Sequence, residues 1–131
     1  MISYLDSSAL VKLLVEEEHS RALGSVVLRS SSLASSALAR TELLRAVTRY
    51  GAVVAAEAGQ LLAELELVPL TDTLLDRAGA LRVPEVPFLR SLDAIHLVSA
   101  GLLGDVELLT YDDRMADAAR AMGLTVSTPR D

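Results

Sequence analysis

The feature that most constrains this chain is its alternation of very short apolar runs with longer stretches of helical period. Ile2 to Leu5 is a short strand, too apolar for one face to meet water. Ser7 or Ser8 can cap the helix that follows, which is expected to run to about Glu18. A short helix over His19 to Arg29 and a weak strand around Leu33 come next. Ser36 is placed to cap a helix through about Tyr50, ended by Gly51, and Val53 to Glu64 forms another. Leu67 to Leu70 is a strand that Pro69 pushes toward a sheet edge. Thr71 or Asp72 caps a helix that fades at Pro84, and Pro84 and Pro87 bracket a loop. Ser91 caps an apolar helix to about Leu103, stopped by Gly104. Then follow a strand over Glu107 to Thr110, a helix opened by Asp112 or Asp113 and ended at Gly123, and a last strand over Leu124 to Val126. Strands alternating with helices predict an α/β fold of three layers, helices on both faces of a central, mostly parallel sheet of about five short strands. At 131 residues the chain fits one domain over residues 1–131.

Composition narrows the chemistry. Cysteine is absent, which removes disulfides, thiolate metal sites and a cysteine nucleophile together. That is compatible with a reducing cytoplasm, the expected location. Only two histidines, His19 and His96, are available, so a bound metal would be an oxygen-liking cation and not zinc. The start has an early Asp and no basic leader, and no apolar stretch approaches the ~20 residues of a membrane span. No membrane partner is expected. The net charge of −6 argues against a generally basic grip on nucleic acid, and Lys12 is the sole lysine. Arginine supplies the rest of the positive charge, and its fork suits phosphate.

Ligands of open α/β sheets bind beyond the carboxyl ends of the strands. Asp6 directly follows the first strand, and Asp112 follows the strand ending near Thr110. Asp93 lies in the first turn of its helix and Glu42 in the second turn expected of its own. If those helices start at the same end of the sheet, four carboxylates converge. Such a cluster repels itself unless a divalent cation cancels the charge. Mg²⁺ or Mn²⁺ there would activate a water and steady a scissile phosphate. Each acid also has a plain structural reading. Asp6 and Asp112 can serve only as helix caps, Asp93 can serve only the helix dipole, and Glu42 can pair with Arg45 on the surface. Their joint order is what carries the functional reading.

The segments YLDSSALVKLL, ARTELLRA, SLDAIHLVSA and LLTYDDRM resemble, in order, the motifs of the PIN-domain family, and more narrowly its VapC-type toxins of toxin–antitoxin pairs. The resemblance runs from Ile2 to about Val126. It implies a metal-dependent endoribonuclease with Asp6, Glu42, Asp93 and Asp112 as catalytic and metal-binding acids. Ser8 and Thr110 are implied as supporting hydroxyls. Asp113 ranks below Asp112, because the spacing from Thr110 selects the earlier acid. The implied partners are RNA, a small VapB-like antitoxin whose C-terminal segment covers the acids, and a second copy of the chain. A PIN-like binding module without turnover is the alternative. A receiver domain lacks its late lysine here, and a haloacid-dehalogenase-like phosphatase would need an acid where Ser8 stands.

His96 shares a helical face with Asp93, as a general base, a ligand or a packed core histidine. Lys12 and the run Glu16–Glu18 are expected on the surface. Arg40, Arg45 and Arg49 are candidates for phosphate contact or for simple solvation of their helix.

Overall fold

A computed structural model describes residues 1–131. Its strands are β1 (Ile2–Leu5), β2 (Ser32–Ser36), β3 (Glu66–Val68), β4 (Val106–Leu109) and β5 (Thr125–Ser127). Its helices are α1 (Ser7–Leu14), α2 (Ser20–Arg29), α3 (Ala39–Val47), α4 (Ala52–Glu64), α5 (Asp72–Ala80), α6 (Ser91–Leu102) and α7 (Asp113–Ala121), with a 3-10 turn over Thr48–Tyr50. The strands form one sheet in the order β3-β2-β1-β4-β5, and every pairing is parallel.

Alternation along each strand sorts the core into two layers. Tyr4, Ala34, Leu108 and Val106 face one side, where they pack with Leu97, Ala100, Met115 and Ala118 of α6 and α7. Leu5 and Leu109 face the other, against Ala9, Leu10, Leu23, Leu43, Val47 and Leu62 of α1 to α4. Adjacent residues of β1 and of β4 thus serve opposite layers, as the two-residue period of a strand requires. The arrangement is the expected three-layer α/β/α sandwich.

The chain leaves central β1 for β2 and β3 on one side and returns to β4 on the other, so the order switches between β1 and β4. Leu5 is in register with Leu109, which sets Asp6 and Thr110 level with each other just past the strand ends. Helices α1, α3 and α7 begin where β1, β2 and β4 stop. Helix α6 runs into β4, so its first turn also lies at the carboxyl end of the sheet.

Several boundaries differ from those expected. Helix α1 stops at Leu14, not near Glu18, because Val15 is extended. Three glutamates would have met the negative end of the helix dipole. Instead Glu17 lies 3.7 Å from Lys12 Nζ, and that amine donates to the Glu18 carbonyl at 2.9 Å. Ser36 does not cap α3 but closes a turn by accepting from the Leu38 amide at 3.0 Å. Of the two expected candidates for the cap of α5, Thr71 fills the role, accepting from the Leu74 amide at 3.1 Å. Helix α5 ends at Ala80, four residues before Pro84. Arg90, not Ser91, occupies the cap position of α6, without a side-chain cap bond. The stops at Gly104 and Gly123 hold: both have positive φ, 78° and 84°, the left-handed conformation that favours glycine after a helix. Strand β3 is an edge strand, with Pro69 just beyond it.

Candidate active site

A cleft of about 290 Å³ opens at the switch between β1 and β4. Asp6, Ser8, Glu42, Asp93 and Asp112 line it, together with Arg90 and His96. The helix starts that point to one end of the sheet bring the four acids together from β1, α3, α6 and the β4–α7 junction. Thr110 lies behind them, fully buried. Asp113 does not join them: it is exposed in the first turn of α7 and lines a neighbouring groove with Arg114 and Asp117.

Asp6 is 3% exposed and does two things. Its Oδ1 accepts from the Ala9 amide at 3.1 Å, capping α1, and from the Ser8 hydroxyl at 2.6 Å. Its Oδ2 accepts from the Thr110 hydroxyl. Burial raises the Asp6 pKa, opposed by the bonds from Ser8 and Thr110 and by that of the Ala9 amide. The two hydroxyls are themselves fixed, since Ser8 Oγ accepts from the Tyr111 amide at 3.1 Å and Thr110 Oγ1 from the Asp112 amide at 3.1 Å. Ser8 and Thr110 therefore lock the end of β1 to the end of β4.

Asp112 also divides its oxygens. Oδ1 caps α7 through the amides of Arg114 and Met115, at 2.9 and 3.2 Å, while Oδ2 accepts from Arg90 Nη2 at 3.1 Å. The same guanidinium donates from Nε to Asp93 Oδ2 at 3.1 Å. Arg90 thus bridges the acids of two elements, and the bond and charge of Asp93 raise its already high pKa.

Glu42 sits at the head of a buried chain. Its Oε1 lies 2.6 Å from His96 Nε2, and His96 Nδ1 lies 2.7 Å from the Tyr4 hydroxyl. Burial raises the Tyr4 pKa well beyond its usual range, so Tyr4 stays a phenol and can donate. His96 is thus held on both ring nitrogens, between the Glu42 carboxylate and the Tyr4 hydroxyl.

The donor set is carboxylate oxygen, which suits Mg²⁺ or Mn²⁺ and not a thiolate-loving metal. No three His, Cys, Asp or Glu side chains are gathered closely enough to hold an ion as they stand. A cation that keeps most of its waters and takes one or two carboxylates does not need such a cage. Positive charge already lies between Asp93 and Asp112, in the guanidinium of Arg90.

A model of the PIN domain matches residues 3–121. Ribonuclease VapC46 of Mycobacterium tuberculosis is 46% identical over 129 residues, covering 96% of both chains. This chain belongs to the PIN-domain family, in its VapC branch. Ribonuclease VapC47 of the same species is 36% identical over 133 residues, again covering 96% of each. The fold of this PIN-domain protein is also that of two solved structures. One is a toxin–antitoxin complex from Klebsiella pneumoniae, with a TM-score of 0.75, 19% identity and 98% coverage of each chain. The other is VapBC-5 from M. tuberculosis, with a TM-score of 0.64, 18% identity and coverage of 99% of this chain and 98% of that one.

Sequence reasoning passed over Arg90 and Tyr4. Arg90 stands three residues before Asp93 at a helix start, a spacing that makes an ion pair natural. Nothing in the sequence announces Tyr4, because its partner lies 92 residues away. His96 is a packed core histidine, yet it also touches Glu42, which takes His96 and not Arg45 as its partner. Arg40, Arg45 and Arg49 do not line the cleft.

Proposed function

We propose that this chain is a metal-dependent endoribonuclease, the toxin of a type II toxin–antitoxin pair, built as one PIN domain over residues 1–131 and acting in the cytoplasm. The observation that carries the reading is the meeting of Asp6, Glu42, Asp93 and Asp112 in one cleft at the switch point of the sheet. The names of the VapC relatives and the toxin–antitoxin complexes that share the fold support it. No helix is long and apolar enough to cross a membrane.

In this reading Asp6, Asp93, Asp112 and Glu42 hold Mg²⁺ or Mn²⁺, directly or through water. When bound, the divalent cation lowers the pKa of a water and offsets the charge that builds on the scissile phosphate. Asp6 offers oxygens whose direction is fixed by Ser8, Thr110 and the Ala9 amide. Glu42 is held by His96 in a posture to orient the attacking water. Ser8 and Thr110 keep the strand ends from spreading as charge in the cleft changes. Asp113, outside the cleft, takes a peripheral place.

RNA is the substrate, and an antitoxin is the partner. An acidic cleft of this kind would accept an arginine or lysine of the antitoxin in place of metal. A second copy is proposed to pack on helical surface of the chain, where α3 and α4 expose Leu44 and Val53.

The test is cleavage of total RNA by the chain freed of any partner, in Mn²⁺, Mg²⁺ or EDTA, beside Asp6→Asn. Metal-dependent cleavage that falls by about 100-fold or more in the variant is the expected result. Equal cleavage by both proteins would sink the role of Asp6. A folded, metal-binding chain that cuts nothing would leave the non-catalytic binding module.

A further inference from the structure

Among the residues lining the cleft, Arg90 is the only arginine or lysine. The acids around it are not treated alike. Asp6 is served by hydroxyls and an amide, and Glu42 by an imidazole. Asp93 takes its side-chain hydrogen bond from Arg90. Asp112 spends Oδ1 on the cap of α7 and offers Oδ2 to the same guanidinium. A single cation therefore spans Asp93, which has no other side-chain partner, and the cleft-facing oxygen of Asp112.

That cation is loosely kept. The Arg90 side chain is 65% exposed, against 7% for Asp93 and 29% for Asp112. It occupies the cap position of α6 but makes no side-chain cap bond to the helix amides, so its guanidinium is held only by the two carboxylates. The arginine end of both pairs is open to solvent, which screens them and lets the guanidinium leave more easily than from a buried pair. Ser8, Thr110 and His96, by contrast, are tied on two sides and cannot leave without breaking the frame.

Resting on the ribonuclease reading above, we propose that Arg90 is a resident counter-cation. It occupies the facing oxygens of Asp93 and Asp112 while the site holds no divalent ion, competes with that ion for them, and on release grips an RNA phosphate at the cleft wall. A divalent cation carries twice the charge at one point and displaces a monovalent fork from carboxylates that suit it. The freed guanidinium is planar, permanently charged and matched to phosphate oxygens. Arg90 thus keeps the empty acidic cleft from repelling itself, and in the loaded cleft it supplies positive charge that a chain of net charge −6 otherwise lacks there.

The test uses the full chain freed of partner, with wild type, Arg90→Gln and Arg90→Lys, and circular dichroism to establish folding. Mn²⁺ affinity is measured by calorimetry without RNA, and kcat and KM on an RNA substrate in saturating Mn²⁺. Arg90→Gln is expected to bind Mn²⁺ about three- to tenfold more tightly, since the two ion pairs of Arg90 no longer oppose the ion. Its KM for RNA is expected to rise about tenfold while kcat changes less, the mark of lost uniform binding. Arg90→Lys keeps the charge but not the two-pronged bridge, so it should regain most of the KM and bind Mn²⁺ more tightly than wild type. Unchanged or weaker Mn²⁺ binding by Arg90→Gln, in a background where wild type binds Mn²⁺ and cleaves, overturns the role of Arg90 alone. Failure of the wild type both to bind Mn²⁺ and to cleave overturns the ribonuclease reading, and this proposal with it.

Discussion

Asp6 and Asp112 each divide two oxygens between a helix cap and the cleft, so the plain and the functional readings of these residues are compatible. The cost of that economy is visible at Asp6, a nearly fully buried carboxylate whose pKa burial raises above the ordinary 3.8. In that condition the folded state binds the proton more tightly than the unfolded state does. Stability from this group is therefore complete below pH 3.8 and is lost as pH rises through the higher folded value. Asp6→Asn keeps the oxygen that caps α1, and the neighbouring hydroxyls can turn to accept from the new amide. Without metal, the variant is expected to melt above wild type at pH 7, and the difference to close as pH falls toward 3.8. Thermal melts across that range check it, and a variant less stable than wild type at pH 7 would show that the ionised acid is well paid for by its bonds. His96 makes a second case. It is held between Glu42 and Tyr4 and acts through Glu42, so it is a positioning residue. Groups that hydrogen-bond to a metal ligand typically carry about 10- to 100-fold in affinity or activity. His96→Leu is expected to lose kcat in that range, and His96→Gln, whose amide can still donate to Glu42, to recover part of it. Equal loss in both, with both folded, would reduce His96 to core packing.

At the scale of elements, the sheet and its helices were legible because short, nearly continuous apolar runs alternate with longer stretches of helical period, and the breaks fall at Gly51, Gly104 and Gly123. The helix starts were read less well. Which of two adjacent residues caps a helix depends on backbone angles at the turn: Thr71 was open beside Asp72, and Ser36 turned out to serve the turn before α3. The acids were legible because strand ends and first helical turns can be counted along the chain. Arg90 across to Asp112, and Tyr4 to His96 to Glu42, were not, since each pairing exists only once distant elements meet at the β1–β4 switch. The caps give a control that separates stability from chemistry. Thr71 lies at α5, outside the residues that line the cleft. Thr71→Ala is expected to lower unfolding stability by about 1 kcal/mol in urea titrations, the usual worth of a cap, and to leave cleavage unchanged at temperatures where the chain is folded. A matching loss of cleavage there would mean that α5, which packs directly on α6, passes the loss of its cap on to the positions of Arg90, Asp93 and His96.

For the whole molecule the relevant fact is where the negative charge sits. A net charge of −6 spread evenly would be a modest and easily screened repulsion. Here part of it is gathered by topology at one end of the sheet, in a cleft that the unfolded chain does not possess. A cation that needs those acids together binds the folded chain and not the unfolded one, and so stabilises it in proportion to its excess over Kd. At a hundredfold excess the gain is about 2.7 kcal/mol, which for a chain of this size corresponds to a rise in Tm of roughly 5–15 °C. Mn²⁺ or Mg²⁺ is expected to raise Tm progressively with concentration, EDTA to reverse it, and Asp93→Asn to blunt it, since that change removes one of the cleft's charges without removing a cap. Sodium chloride at matched ionic strength supplies the comparison. Screening acts on all the surface charges alike, saturates within a Debye length of about 10 Å at 0.1 M, and does not distinguish wild type from Asp93→Asn by more than the single charge requires. If divalent and monovalent salt raise Tm equally, and Asp93→Asn responds as wild type does, then the acids repel one another like any surface patch, and the cleft holds no specific ion. A divalent shift that depends on Asp93 would mean that the repulsion built into the fold is relieved by the same ion that the chemistry requires, which is the physical reason a chain would keep four acids so near one another.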